Sequence, residues 1–399
     1  MSDPRGAMPK EQFIWLVAAA LKAERFRVVD IGCSGGFDPI WREFGDRLTG
    51  VGFDASVSEC RRLAAQETNP SVRYVPGFVD IPPDHPFALR DGPEWAGTPG
   101  SFYNETSSWW TIGMRAEHLA TASLDEKLHH NQWQATELAD PKKPIYAPRV
   151  LAELGYTDVD FLKIDVDGPD FRILNSFDGV FGQLSILAAR LEVFMFGGTG
   201  DTVHTFHNTD RFMRQQGYEL VRLDTFDYSK RALPARYRYS TPTTTVTGRL
   251  FQGEAHYALL PSVGDGTLSP EKLIKLAAIL SVWDQPDGAA EILLTCRERV
   301  APLLDVDAAL DVLAAQTQDG DNDPLSYRDY MALFATDSPR FFPPPLPPPL
   351  PPPPKPPDLP WQPPPRPTFI QRLQAAWYSV SDWTYIEKLM NDLRERRGS

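Results

Sequence analysis

The chain is 399 residues long, 42% hydrophobic, and carries 39 prolines, close to twice the ordinary share. Its 53 acidic against 40 basic residues leave a formal charge of −13, a field that repels phosphate backbones and argues against a nucleic-acid partner. Cys33, Cys60 and Cys296 are scattered without metal-ligand spacing or a disulfide framework, so the chain reads as a cytoplasmic protein of a reducing compartment. Phe13, Leu16, Val17, Ala20 and Leu21 recur at helical spacing. That apolar run is too short to span a bilayer. Arg27 to Ile31 predicts a strand running into a glycine cluster, with helical spacing from Phe37 to Phe44. The pattern repeats as a strand over 48–53 ending at Asp54, a helix over Val57 to Gln66 and a strand over Val72 to Val75. Such β-α-β-α-β alternation predicts an α/β fold built on a doubly wound, mostly parallel sheet.

From about Asp80 to Pro148 the rhythm lapses into a stretch rich in Pro, Gly, Trp and His, read as an insertion over the ligand-bearing edge of the sheet. It resumes with a strand over Val159 to Asp165, a helix from Pro169, a strand over Leu184 to Glu192, a helix over His204 to Gln216 and strands over 218–223 and 256–260. Ser269-Pro270-Glu271 opens a helix, Gln285 to Gly288 breaks it, and two more follow over 289–300 and 306–315. Eighteen of the prolines lie between Pro339 and Pro367, and the tract from Phe342 predicts polyproline II. Beyond it, Phe369, Leu373, Ala376, Val380, Trp383, Ile386, Met390 and Leu393 recur every three or four residues, an amphipathic helix with a capping box at Thr368 and Gln371. The expected layout is an N-terminal helix (1–26), an α/β domain (27–262, insertion about 80–148), a small helical subdomain (263–341), a polyproline linker (342–367) and a terminal helix (368–399).

The chemistry concentrates at Asp30-Ile31-Gly32-Cys33-Ser34-Gly35-Gly36 and at Asp54, at the end of the next strand. Glycines let a backbone loop approach an adenosyl ligand closely, and a carboxylate at Asp54 is placed to hold ribose hydroxyls. A dehydrogenase calls for Gly-x-Gly-x-x-Gly. The spacing Gly-x-x-Gly-Gly behind an acidic Asp30 favours a cofactor with a positive centre over one with a pyrophosphate. Cys33 reads as a small packing residue of this loop.

These residues resemble motif I of the class I S-adenosylmethionine-dependent methyltransferases. More narrowly, Leu162-Lys163-Ile164-Asp165-Val166-Asp167-Gly168 resembles the "LKIDVEG" signature of the FkbM family, with Asp167 standing for the family's glutamate. The segments Ile186 to Phe194 and Phe212 to Val221 are similar to later strands of that family, and Ser107-Ser108 is similar to its serine-containing loop. The resemblance implies the Rossmann-like fold of that class and methyl transfer from S-adenosylmethionine to oxygen, often a hydroxyl of a sugar, glycan or secondary metabolite. It puts Asp30, Gly32, Gly35 and Asp54 at cofactor positions and Asp80 near the adenine amino group. Asp165, Asp167 and Glu192 fall at the ends of the fourth and fifth strands, where ligands bind in such sheets.

An alcohol is a poor nucleophile at neutral pH, so either a general base or a divalent cation would serve. Asp165, Asp167 and Glu192 suit an oxygen-preferring ion such as Mg²⁺, and equally suit holding the cofactor's amino group. His204 and His207, at the start of a helix, are candidate bases or surface residues. Trp95, Phe102, Tyr103, Trp109, Trp110 and Trp133 would stack on a sugar ring or pack as the core of a lid.

In the tail, five basic and four acidic residues between 368 and 399 favour docking on a protein over a membrane surface. The proline tract reads as a stiff spacer ahead of an SH3-type ligand. The expected function is O-methyl transfer to a saccharide or small-molecule acceptor. The alternative is an interaction protein whose methyltransferase-like body carries a partner-recruiting arm.

Overall fold

A computed structural model describes residues 8–90, 137–140, 142–166, 168–195, 197–229, 235–236, 238, 244–260, 268–318 and 324–342. The expected linker and terminal helix, the aromatic and serine residues of the insertion, and Asp167 lie outside the described residues. The chain divides into two units, residues 1–341 and 342–399.

The first unit is built on a seven-stranded sheet of order β3-β2-β1-β4-β5-β7-β6. Its strands are β1 (Phe26–Ile31), β2 (Leu48–Asp54), β3 (Val72–Pro76), β4 (Phe161–Ile164), β5 (Ala188–Phe194), β6 (Glu219–Tyr228) and β7 (Arg249–Ala258). All neighbours run parallel except β7, which is antiparallel to both β5 and β6. The order reverses between β1 and β4, which makes the carboxyl ends of these two strands the switch point. This is the expected doubly wound sheet of the class I methyltransferase type.

Helices cover both faces. On one face α1 (Pro9–Ala20) packs with α8 (Pro270–Val282), α9 (Pro286–Thr295) and α11 (Val306–Ala315). On the other lie α5 (Ala147–Glu153), α6 (Asp170–Asn175) and α7 (Phe206–Gln215). Around the loops sit α2 (Pro39–Arg42), α3 (Val57–Gln66), α4 (Pro86–Arg90), α10 (Arg297–Val300) and α12 (Tyr327–Thr336). The period-2 pattern of the strands sorts their residues between the faces. Val28, Phe161, Ala188 and Ala258 belong to the α1 side, Val29, Ile31, Leu162, Ile164 and Leu191 to the other.

Helices α8, α9 and α11 therefore share one core with α1 and the sheet. Leu273, Ile274, Ala277 and Leu280 are buried among Phe13, Val17, Phe26 and Trp41. A buried ion cluster fastens the layer from below: Lys275, 1% exposed, stands 3.1 Å from a carboxylate oxygen of the fully buried Asp160, whose other oxygen accepts from Lys272 at 2.6 Å. Asp160 also accepts the backbone N–H of Arg27 at 2.8 Å, so α8 and the start of β1 hang on one side chain.

The local chemistry of the elements is orthodox. Ser56 caps α3 by accepting from Glu59 N, Thr205 caps α7 through Asn208 N, and Ser269 caps α8 through Lys272 N. Pro286 opens α9 in its first turn instead of breaking the chain, because a proline at that position gives up only an N–H that had no partner. The helix expected from Phe37 shrinks to one turn, α2, with Asp38 as its cap. The strands near 220 and 256 run longer than the pattern suggested, because β6 and β7 pair antiparallel over ten residues each. Among the described residues no helix is long and apolar enough to cross a membrane.

Candidate active site

The glycine loop leaves β1 directly into the switch point. Gly32, Gly35 and Gly36 all have left-handed backbone, with φ of 93°, 82° and 91°. The N–H groups of Gly32 and Cys33 donate to Phe53 O of β2, and Gly36 N–H closes a turn on Cys33 O. Asp165 N–H donates to Ile31 O at 2.9 Å, pulling the end of β4 under the loop. A β-carbon on Gly32 would stand 1.7 Å from Asp165 O, so only glycine fits there. At Gly35 the space is open, with nothing within 4 Å of such a carbon. Gly35 N–H donates to Glu59 of α3, which Arg62 grips from the far side. Cys33 is buried and packs against Gly52, which fits its reading as a packing residue.

Asp54 ends β2 beside this loop. One of its carboxylate oxygens accepts from Ser56 N–H at 2.7 Å, and burial raises its pKa. The returning end of the insertion docks here, Val57 N–H donating to Glu137 O and Ala139 N–H to Ala55 O. Asp80 follows β3 and accepts from Arg172 of α6 at 2.6 Å. It borders a cavity of about 410 Å³ with Ile81, Ile145, Tyr146 and Arg149.

Asp30, 4% exposed, lies beneath the loop. Desolvation raises its carboxyl to about 7 against the opposing pull of Lys163. Lys163 on β4 bridges the site: its ammonium is 3.6 Å from Asp30, 3.1 Å from Asp165 and 3.4 Å from Gly32 O. Desolvation works against the charge on Lys163, but the attraction of Asp30 and Asp165 is greater and raises its pKa.

His204 precedes α7 and is buried. Its Nδ1 lies 3.0 Å from Gly168 O and its Nε2 3.0 Å from Glu192 O. Both ring nitrogens face carbonyl oxygens, and a neutral imidazole, with a single N–H, donates to one of the two. The ring thus ties the β4–α6 loop to the end of β5. Asp170 stands 3.8 Å from Nδ1 and accepts from Val166 and Gly168 N–H groups, shaping the same loop. His207 is exposed on α7. Glu192 is buried on β5, opposite Glu254 of β7. Of the expected residues, the structure brings Asp30, Gly32, Gly35, Asp54 and Asp165 together around one loop, with Glu192 and His204 at the neighbouring end of β5.

A row of charge that sequence reasoning passed over continues across the sheet. Asp30, Lys163, Arg190, His256 and Arg222 are successive cross-strand neighbours on the α1 side. Glu192, Glu254 and Asp224 form the next row toward the carboxyl edge. Arg190 pairs with Glu254, and Arg222 Nε donates to both oxygens of Asp224 at 2.9 and 3.0 Å. Desolvation and the nearby Arg190 lower the His256 imidazole to about 4. These residues lie on five different strands, and only the strand register reveals that they align.

The sheet order and glycine loop are those of the class I methyltransferase fold. Residues 100–220 match the methyltransferase FkbM domain, a span holding β4, α6, β5 and α7. The matched part is under a third of the chain and begins after the glycine loop. No curated protein matches the sequence. Among solved structures, a TehB-like SAM-dependent methyltransferase from Corynebacterium glutamicum is 11% identical over 63% of this chain and 87% of its own, with a TM-score of 0.24. A SAM-dependent methyltransferase from Anabaena variabilis is 11% identical over 63% and 93%, with a TM-score of 0.25. The METTL16 methyltransferase domain is 9% identical over 63% and 66%, with a TM-score of 0.27.

Proposed function

We propose that the chain is an S-adenosylmethionine-dependent O-methyltransferase acting on a hydroxyl of a sugar, glycan or secondary metabolite. The observation that carries the reading is the glycine loop, where the carbonyl of Asp165 makes Gly32 obligatory while Gly35 opens onto empty space beside Asp54. The cradle fits an adenosyl ligand: a bare backbone to lie against, and a carboxylate at the end of β2 for ribose hydroxyls.

S-adenosylmethionine supplies a methyl group already activated on a sulfonium. The chain has to bind, orient and exclude water. Asp54 holds the ribose. Asp80 lies on the adenine side, with Arg172 fixing the direction of its carboxylate. Asp165 and Lys163 meet under the loop, so the carboxylate there is held in one place by an ammonium 3.1 Å away. Such fixing of charged groups is what in-line alignment of an acceptor oxygen needs, and alignment is worth several kcal/mol of the barrier. To Asp165, Asp167 and Glu192 we assign the handling of the acceptor. His204 we assign to positioning, because its ring lies between the loop after Asp165 and the strand that carries Glu192, within 3.0 Å of a carbonyl of each.

Calorimetry with S-adenosylmethionine is the first test. Binding that Asp54→Ala weakens is expected, and Asp165→Asn is expected to lower turnover more than cofactor affinity. No heat at high micromolar cofactor, or binding indifferent to Asp54→Ala, overturns the reading.

A further inference from the structure

The rows of charge on the α1 side of the sheet end in a cavity of about 180 Å³ between β5, β7 and β6 and the carboxyl end of α8. Arg190, Asp224, Glu254, His256 and Trp283 line it. One carboxylate oxygen of Asp224, one of Glu254 and one ring nitrogen of His256 lie within 4.8 Å of one another. His256 is 4% exposed, and neither ring nitrogen has a hydrogen-bond partner; its Nε2 stands 3.2 Å from Asp224 Oδ2 without bonding geometry. A buried imidazole with both nitrogens unsatisfied costs free energy unless something else takes a lone pair.

We propose that Asp224, Glu254 and His256 form a binding site for a divalent transition-metal ion of the zinc type. One imidazole and two carboxylates are a donor set that such ions accept, at about 2.0–2.2 Å from each ligand. The ring nitrogen sets the site apart from those of magnesium and calcium, which take oxygen alone. The arginines do not block it: a carboxylate offers about four lone-pair positions, and a guanidinium on each leaves others open. Arg190 on Glu254 and Arg222 on Asp224 act as the outer partners that orient ligating carboxylates. His256 is aimed by its edge-to-face contact with Trp283, ring centroids 4.8 Å apart. The cavity leaves room for a water or a hydroxyl as a further ligand. The site uses none of the residues of the glycine loop, so it stands or falls apart from the cofactor reading.

The test is calorimetric titration of zinc chloride, and separately magnesium chloride, into the full chain. One zinc equivalent is expected, with magnesium weaker by at least about tenfold. His256→Ala and, at a half-buried position, Glu254→Gln are each expected to weaken zinc by about tenfold or more. Should the variants fold poorly, cobalt chloride added to the native chain gives an independent reading, visible absorption bands that zinc then abolishes. Absence of zinc heat, zinc affinity unchanged in both variants, or a cobalt spectrum no different from the free aqueous ion overturns the proposal.

Discussion

The α-carbon of Gly32 faces the carbonyl oxygen of Asp165 so closely that a β-carbon would lie 1.7 Å from it. The first glycine of the loop after β1 and the end of β4 therefore form a single packed unit. The geometry separates two kinds of glycine within five residues. Gly32→Ala must displace β4 or the loop and is expected to cost more than about 3 kcal/mol, read as a fall in thermal midpoint together with loss of S-adenosylmethionine binding. Gly35→Ala meets no atom and pays only for its φ of 82°, about 1–2 kcal/mol. Cofactor affinity should fall there out of proportion to stability. Equal losses in both variants would contradict the distinction.

Glu59 holds the loop from α3 by accepting Gly35 N–H at 3.0 Å. Glu59→Ala frees that amide at a partly exposed site, so the expected stability change is about 1 kcal/mol. Cofactor affinity measured by calorimetry should drop by about tenfold, since the loop's preorganisation is lost. A stability loss with unchanged affinity would place Glu59 outside the binding machinery.

Asp30 gives a pH dependence with a defined sign. Its carboxyl titrates at about 7 in the folded chain against 3.8 ordinarily, so the folded state favours the protonated form. That contribution is complete below about pH 4 and disappears as the pH rises toward 7, above which the buried charge is a cost. Asp30→Asn, neutral at every pH, should flatten the fall in thermal midpoint between about pH 4 and 7. Parallel midpoint curves for the two proteins would refute the assignment.

Lys275 and Asp160 carry a stability prediction. Removing one member of a buried pair strands the other, at about 3–5 kcal/mol. Lys275→Met is expected to approach the lower end, because Lys272 still reaches Asp160 at 2.6 Å. The thermal midpoint should fall while cofactor affinity of the folded fraction is retained, as the cluster lies at the opposite end of β4 from the glycine loop.

The legibility of this chain differs by the range of the interaction involved. Capping and turn chemistry act within four residues, so the helices expected over Val57 to Gln66 and 306–315 coincide with α3 and α11, which the structure shows capped by Ser56 and Asp305. Asp30 and Asp54 were readable because a glycine loop and the next strand end are a local pattern. The placement of α8, α9 and α11 against α1 was not, because a helix sequence shows that it has an apolar face and not which face receives it. His204 looked like a candidate base because it opens a helix; only its two carbonyl neighbours, one 12 and one 36 residues away in sequence, reveal what occupies its nitrogens. His256 had no local motif at all. Its partners Asp224 and Arg190 sit on other strands, joined to it by register alone.

The charged row from Asp30 through Lys163 and Arg190 to His256 has a consequence for how the sheet assembles. On each strand the neighbouring positions, Ile31, Leu162, Leu191 and Tyr257, face the opposite apolar layer. Were β4 to pair one residue out of step, Lys163 would enter that layer among Leu151 and Phe171 without Asp30 of β1 opposite it. Stranding such a charge costs several kcal/mol, whereas a slipped strand of valines and leucines would lose far less. The row thus acts as a keyway across the middle of the sheet, admitting one alignment of four strands and penalising every shifted one.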